Sequence, residues 1–256
     1  MGDGLGTVKP VLAFDLDGTI SLVRHGWQEV MTAVMAEALL AAGSDAELAA
    51  GLARAVVDET NGTPVTRQME TLASRARDLG LAAIDTPSSA VEYQTRIKRL
   101  SAARREQGPA SALLVPGALE FVSWARGVGF PCALVSSSSL VDVEADPVAL
   151  SMAELFGPLV LAPDDAADSG AFSKLTTFWD LLGRTGAPSL IAFGDGPGEI
   201  QAAVAVGGTG IGVAFDPSDP DQPAPALAAR LRQAGAALII RDFNAPARKA
   251  LSTLIS

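Results

Sequence analysis

The sequence predicts an α/β protein: a three-layer α/β/α core with a parallel sheet, interrupted by an all-helical block. Three observations predict it. From about residue 111 onward, short apolar runs alternate with helical patterns, which implies parallel strands covered on both faces. Several of those runs stop at clusters of Asp, Ser or Gly. The first run, Val11–Phe14, is separated from the others by residues 21–110, which have helical spacing and no convincing strand.

Taken in order, Val11–Phe14 reads as a buried strand ending at the polar turn Asp15-Leu-Asp17-Gly18-Thr19. Trp27, Val30, Met31, Val34, Met35, Ala38 and Leu39 then recur at helical spacing up to Gly43. Ser44 and Asp45 are cap candidates for a second helix reaching about Asp58. In the turn Asn61-Gly62-Thr63-Pro64, Thr63 is the expected cap and Pro64 the first helical position. That third helix buries Val65, Met69, Leu72 and Ala76 and stops near Gly80. A fourth runs from about Ser88 to Gln107, and its basic part, 96–105, is expected to be an exposed face.

After Gly108-Pro109 the pattern changes. Pro116-Gly117 opens a helix to about Gly127, and the strand Cys132–Val135 ends in four serines, 136–139. One helix to about Phe156, a strand at 159–161 and a helix at 173–183 follow. The strand 190–193 leads into Gly194-Asp195-Gly-Pro-Gly-Glu199. A helix to Val206, a strand at 211–214, a helix at 224–234, a strand at 237–240 and a last helix complete the chain, with 216–226 as a surface loop. The simplest organisation is a core of 1–20 and 111–256, with a helical domain of 21–110 inserted after the first strand.

Composition narrows the function. The chain has 256 residues, 48% hydrophobic and 19% charged, enough for a sizeable core and against global disorder. Aromatics are 5%, so Ala, Val, Leu and Ile are expected to build most of that core. The 19 Lys+Arg against 29 Asp+Glu give a net charge of −10, which argues against nucleic acid or anionic lipid as a partner. One Cys and one His exclude a disulfide framework and a Cys-rich or multi-His zinc site. Cys132, in a strand, is expected to be inert core. Residues 1–10 show no targeting pattern, and no run approaches the ~20 apolar residues of a membrane span. The cytoplasm is the expected location.

Ligands of open parallel sheets bind beyond the carboxyl ends of the strands. Three strands here end in polar clusters: Asp15 and Asp17; Ser136 to Ser139; Asp195 and Glu199. Lys174 opens the helix before the last of these. Singly, each is ordinary turn or surface chemistry. Brought together, carboxylates suit Mg²⁺, while hydroxyls, N–H groups and a Lys suit phosphate oxygens.

In order along the chain, these residues resemble the motifs of the haloacid dehalogenase-like superfamily of hydrolases. Phe14-Asp15-Leu16-Asp17-Gly18-Thr19 resembles the first motif, Leu134-Val135-Ser136 the second, Lys174 the third, and Gly194-Asp195-Gly-Pro-Gly-Glu199 the fourth. The resemblance implies a Rossmann-like core with an inserted helical cap, as in phosphoglycolate phosphatase-like and β-phosphoglucomutase-like members. It implies that Asp15 is the nucleophile and Asp17 the acid and base. Asp15, Asp17 (through its carbonyl), Asp195 and Glu199 would hold Mg²⁺; Glu199, standing where many relatives have Asp, would do so directly, through water, or by orienting Asp195. Gly18, Ser136, Ser137 and Lys174 would bind the phosphoryl group, and Thr19 would orient the first loop. Dehalogenase members lack the second Asp, so Asp17 favours phosphate chemistry. The cap residues expected to read the leaving group are Arg24, His25, Asn61, Gly62, Thr63 and Arg67, while Trp27 is read as packing.

The expected activity is a Mg²⁺-dependent phosphatase acting on a small phosphorylated metabolite, such as a sugar phosphate. A phosphomutase with the same core residues, and a non-catalytic phosphate- or metal-binding regulator, stay open beside it. So does the oligomeric state, monomer or dimer.

Overall fold

The structure is a computed structural model that describes residues 8–106, 108–164 and 172–255. The expectations for residues 1–7 and for Gln107 as a helix end lie outside the described residues.

Six parallel strands form one sheet: β1 (Val11–Phe14), β2 (Cys132–Val135), β3 (Val160–Leu161), β4 (Leu190–Gly194), β5 (Thr209–Val213) and β6 (Leu238–Ile240). Their order is β3-β2-β1-β4-β5-β6. The chain leaves β1 on one side for β2 and returns on the other for β4, with Phe14 in register with both Leu134 and Phe193. The order reverses at β1, where a crevice opens beyond the strand ends.

Side-chain alternation explains the three layers. Leu12, Phe14, Cys132, Leu134, Ile191 and Phe193 point to one face. They pack there with α5 (Ala118–Gly127), α7 (Pro147–Phe156) and α11 (Ala245–Leu254). Val11, Ala13, Ala133, Val135, Leu190 and Ala192 point to the other, against α8 (Lys174–Thr185) and α9 (Pro197–Ala205). α10 (Pro225–Gln233) covers β5 and β6 through Ala228 and Leu231.

Ala, Val, Leu and Ile make up most of the core on both faces, as expected from composition, but the first face also collects aromatics. Phe14, Phe121, Phe156, Phe193 and Phe243 gather there, and the Phe14 and Phe193 rings stack with centroids 4.9 Å apart. Aromatics are scarce in the chain but concentrated under the strands that carry the polar clusters.

Between β1 and β2 lie α1 (Trp27–Ala41), α2 (Ala46–Thr60), α3 (Val65–Asp78) and α4 (Thr86–Glu106). They share a separate buried cluster that includes Met31, Met35, Leu39, Val57, Met69 and Leu72. Asp45 caps α2 by accepting from Leu48 N at 2.9 Å. Pro64, rather than Thr63, is the last extended residue before α3, and the Thr63 hydroxyl turns back to donate to Thr60 O at 2.7 Å. The two segments joining this block to the sheet run side by side. Leu22 N donates to Leu113 O (2.7 Å) and Val115 N to Ile20 O (2.9 Å).

The single helix expected after the four serines is two, α6 (Leu140–Glu144) and α7. Pro147 lacks an N–H and pushes Asp146 into an extended conformation. The buried Asp146 carboxylate restarts the chain, accepting from Val148 N (2.8 Å) and Ala149 N (3.2 Å) and from Ser21 Oγ (2.8 Å). Cys132 is fully buried, and burial pushes its thiol up to about 12, as expected of inert core. Among the described residues, no helix is long and apolar enough to cross a membrane.

Candidate active site

The polar clusters at the ends of β1, β2 and β4 meet. Asp15 N donates to Phe193 O (3.0 Å), so the β1–β4 ladder carries Asp15 to the carboxyl end of the central strands. The chain then folds tightly: Leu16 O accepts from Ile20 N (2.9 Å) and Ser21 N (2.8 Å). Gly18 sits at φ 79°, a left-handed conformation open to glycine without strain. Its N–H, expected to face phosphate, donates instead to Ser21 O at 2.9 Å. Gly18's contribution is therefore steric: it gives Asp195 room. Thr19 Oγ1 donates to Asp195 Oδ1 at 3.2 Å, so the first loop and the β4 loop hold each other.

Lys174, the first residue of α8, is buried with its ammonium 2.7 Å from Asp15 Oδ1 and also hydrogen-bonded to Glu199 Oε1. Glu199 lies in the first turn of α9 and is 2% exposed, with Oε2 unpartnered among the described residues. Oxygens of Asp15, Asp195 and Glu199 all lie within 4.8 Å of one another. Three buried carboxylates thus share one ammonium. Burial, then repulsion from Glu199 and Asp195, outweighs Lys174 and raises the Asp15 carboxyl well above the ordinary range. Burial and Glu199 push Asp195 up to about 7. Burial alone would raise Glu199, but Lys174 and its hydrogen bonds bring it below its usual value. Such an under-compensated oxygen set, with one buried oxygen free, fits a hard divalent cation.

Asp17 lines the same cavity as Asp15 but has different partners. Its Oδ2 accepts from Arg24 Nη1 (2.9 Å) and Ser138 Oγ (3.0 Å). The four serines are not a solvated loop. Ser136 N continues the sheet by donating to Leu161 O (2.9 Å), and Ser136 Oγ accepts from Ser138 N (3.1 Å). Ser137 Oγ donates to Gly62 O (2.9 Å), and Ser139 caps α6 by accepting from Asp142 N (3.3 Å).

A cavity of about 660 Å³ opens over these groups, walled on the far side by the helical block. Arg24, Asn61, Gly62 and Thr63 line it, as does half-buried Trp27, which also packs on the helical core. The loop carrying Gly62 (φ 85°) leans on the carboxylates, with room for a Cβ only 3.0 Å from Glu199 Oε2.

His25 and Arg67 do not join them. His25 is half-buried and does not line the cavity; burial and then Arg104 lower its pKa. Arg67 is exposed, pairs with Glu70 at 3.8 Å, and borders a second cavity of about 450 Å³ across the Gly62 loop.

Sequence reasoning missed the contribution of α4. Pro87, Ala90, Val91, Gln94 and Lys98 form one of its faces and line the main cavity, with Tyr93 and Ile97 beside them. Their i, i+3, i+4 spacing was the available signal. Nor is 96–105 simply an exposed face: the Arg104 guanidinium donates to the carbonyls of Leu22 (2.8 Å) and His25. Gln68, buried on α3, is a second omission, with Oε1 unpartnered among the described residues.

No curated protein matches the chain. Among solved structures, it resembles a hydrolase from Pseudomonas syringae (19% identity, TM-score 0.62, 92% of this chain and 94% of that one). It also resembles a candidate β-phosphoglucomutase from Bacteroides vulgatus (18%, 0.60, 98% and 90%). A third is a predicted phosphoglycolate phosphatase from Haemophilus somnus (14%, 0.56, 96% and 100%). At these identities the likeness shows the fold. The family model described as "haloacid dehalogenase-like hydrolase" matches residues 10–207, from the approach to β1 past the end of α9, and so covers every carboxylate, serine and lysine of the cluster. The chain therefore belongs to the haloacid dehalogenase-like hydrolases.

Proposed function

We propose that the protein is a Mg²⁺-dependent phosphatase that hydrolyses a small phosphomonoester, such as a sugar phosphate, through an aspartyl-phosphate on Asp15. The observation that carries this reading is the buried set of Asp15, Asp195 and Glu199 around Lys174, with Asp17 two residues from Asp15 in the same cavity. In this reading residues 1–20 and 111–256 are the core domain, and 21–110 are a cap over the substrate. Its setting is the cytoplasm, with a small phosphorylated metabolite as its partner.

Asp15, Asp195 and Glu199, with the Asp17 carbonyl, would hold the metal. Bound there, Mg²⁺ supplies charge that lets an anionic nucleophile approach an anionic phosphate. Ser136, Lys174 and the Ser137 N–H receive the phosphoryl oxygens. An Asp15 oxygen attacks phosphorus, and the P–O ester bond breaks as the new O–P bond forms. The electron pair leaves on the alcohol oxygen, which takes a proton from Asp17. Water then attacks phosphorus and gives a proton to Asp17, which restores the Asp15 carboxylate and releases inorganic phosphate. The helical block, by covering the cavity, keeps bulk water from the first step.

The likeness to a candidate phosphomutase keeps a second reading in view: Asp17 could return the phosphoryl group to a reoriented sugar. A phosphate-release screen over phosphorylated metabolites, with and without Mg²⁺, separates the two. Phosphate release that requires Mg²⁺ and vanishes in Asp15→Asn supports the phosphatase. Isomerisation of a hexose phosphate without net release supports the mutase. Full activity in Asp15→Asn contradicts both.

A further inference from the structure

We propose that Arg24 is a positioning residue: with Ser138 it fixes the plane of the Asp17 carboxyl so that Oδ1 meets the leaving-group oxygen. This rests on the reading of Asp17 as the acid and base of a phosphatase.

Arg24 precedes α1, in the segment that leads from the sheet into the helical block. Its side chain is 12% exposed, and that of Asp17 is 18% exposed. Nη1 donates to Asp17 Oδ2 at 2.9 Å and to Ser138 Oγ at 2.8 Å, while Ser138 Oγ donates to the same Asp17 oxygen at 3.0 Å. These three groups close a triangle. Nη2 donates to Asp142 O at 3.1 Å, with Asp142 Oδ1 at 3.9 Å, which ties the guanidinium to α6 as well. Three segments therefore meet at one oxygen, the β1 loop, the start of the helical block and the serine loop, and α6 holds the guanidinium from behind.

The other Asp17 oxygen, Oδ1, is buried and has no hydrogen-bond partner among the described residues, although Asp17 lines the cavity. Burying a guanidinium and leaving a carboxylate oxygen unpaired both cost stability. A fold that does both beside its nucleophile is arranged for chemistry. Two donors fix Oδ2 from two different segments, so the carboxyl plane has one orientation and Oδ1 is the oxygen left for a ligand. Arg24's hydrogen bonds to Asp17, Ser138 and Asp142 point it at the protein, not at a substrate anion.

A misplaced acid hurts a poor leaving group and spares a good one. An alkoxide needs the proton as the P–O bond breaks, whereas nitrophenolate leaves without it. kcat/KM includes only the steps up to release of the alcohol, so it excludes the later attack of water. The test is kcat/KM, with Mg²⁺, over phosphomonoesters from p-nitrophenyl phosphate to simple alkyl phosphates. It is run on wild type, Arg24→Met, Arg24→Lys and Ser138→Ala, with each variant's thermal midpoint.

For Arg24→Met, a loss of about 100-fold on alkyl phosphates and only a few-fold on p-nitrophenyl phosphate is expected, the scale of a misplacement near 1 Å. Arg24→Lys should recover part of the alkyl rate. Ser138→Ala, which keeps the buried charges, should show a smaller loss with the same dependence on leaving group, and it carries the test if Arg24→Met does not fold. A loss equal at every leaving group, or none, overturns the inference and leaves the phosphatase standing. Absence of Mg²⁺-dependent turnover in wild type overturns the phosphatase reading, and this inference with it.

Discussion

A Cβ built on Gly18 would lie 2.2 Å from Asp195 Oδ2, well inside any real contact. The first loop and the β4 loop therefore approach as closely as they do only because residue 18 has no side chain, and its φ of 79° disfavours one independently. Gly18→Ala should separate Asp15 from Asp195 and lower kcat/KM more than 100-fold, since misplacement by 1 Å is enough for that loss. The left-handed backbone alone should cost about 1–3 kcal/mol of stability, measurable by urea unfolding.

Lys174 is the ammonium that offsets Asp15 and Glu199 inside the protein. Burial alone would lower its pKa, but those two carboxylates outweigh burial and raise it, so it stays charged. Lys174→Met should destabilise the metal-free protein by about 3–5 kcal/mol in urea unfolding, the scale for removing one partner of a buried ion pair. Excess Mg²⁺ should recover part of that stability without recovering activity.

The raised carboxyls make metal-free stability depend on pH. Asp195 is ordinary at 3.8 when unfolded and about 7 when folded, and Asp15 is raised in the same direction. Between those values the folded state binds more protons than the unfolded one. The contribution is therefore full below about pH 4 and is lost as pH rises through about 7. This part of the thermal midpoint of the metal-free protein should fall from pH 5 to pH 7.5. Mg²⁺ at 100 times its dissociation constant should restore about 2.7 kcal/mol at pH 7.5. It should restore little at pH 5, where protons hold the same oxygens. Scanning calorimetry at both pH values, with EDTA or Mg²⁺, checks both signs.

What was legible in the sequence is what local chemistry dictates. The apolar runs that end in Asp15, Ser136 and Asp195 became adjacent strands, because an alternating pattern of strands and helices leaves few other arrangements. The long, periodic helices α1 to α3 were readable for the same reason, to within a few residues at their ends. Less legible were contacts between distant segments. Ser138 looks like filler until Arg24, 114 residues away, is brought against it. The basic end of α4 looked like a solvated face because nothing local says that Arg104 will meet the backbone carbonyls of the segment before α1. Pro147 was an overlooked local signal, and with the Asp146 cap it accounts for the break between α6 and α7.

In the proposed reaction Asp15 carries the phosphoryl group. Rapid-quench mixing with a ³²P-labelled phosphomonoester and Mg²⁺, followed by mapping of the labelled peptide, tests it most directly. Transient label is expected on Asp15, forming as the alcohol is released and decaying as phosphate appears, with none in Asp15→Asn. Phosphate released at the wild-type rate with no label on the protein, or label retained in Asp15→Asn, would contradict it.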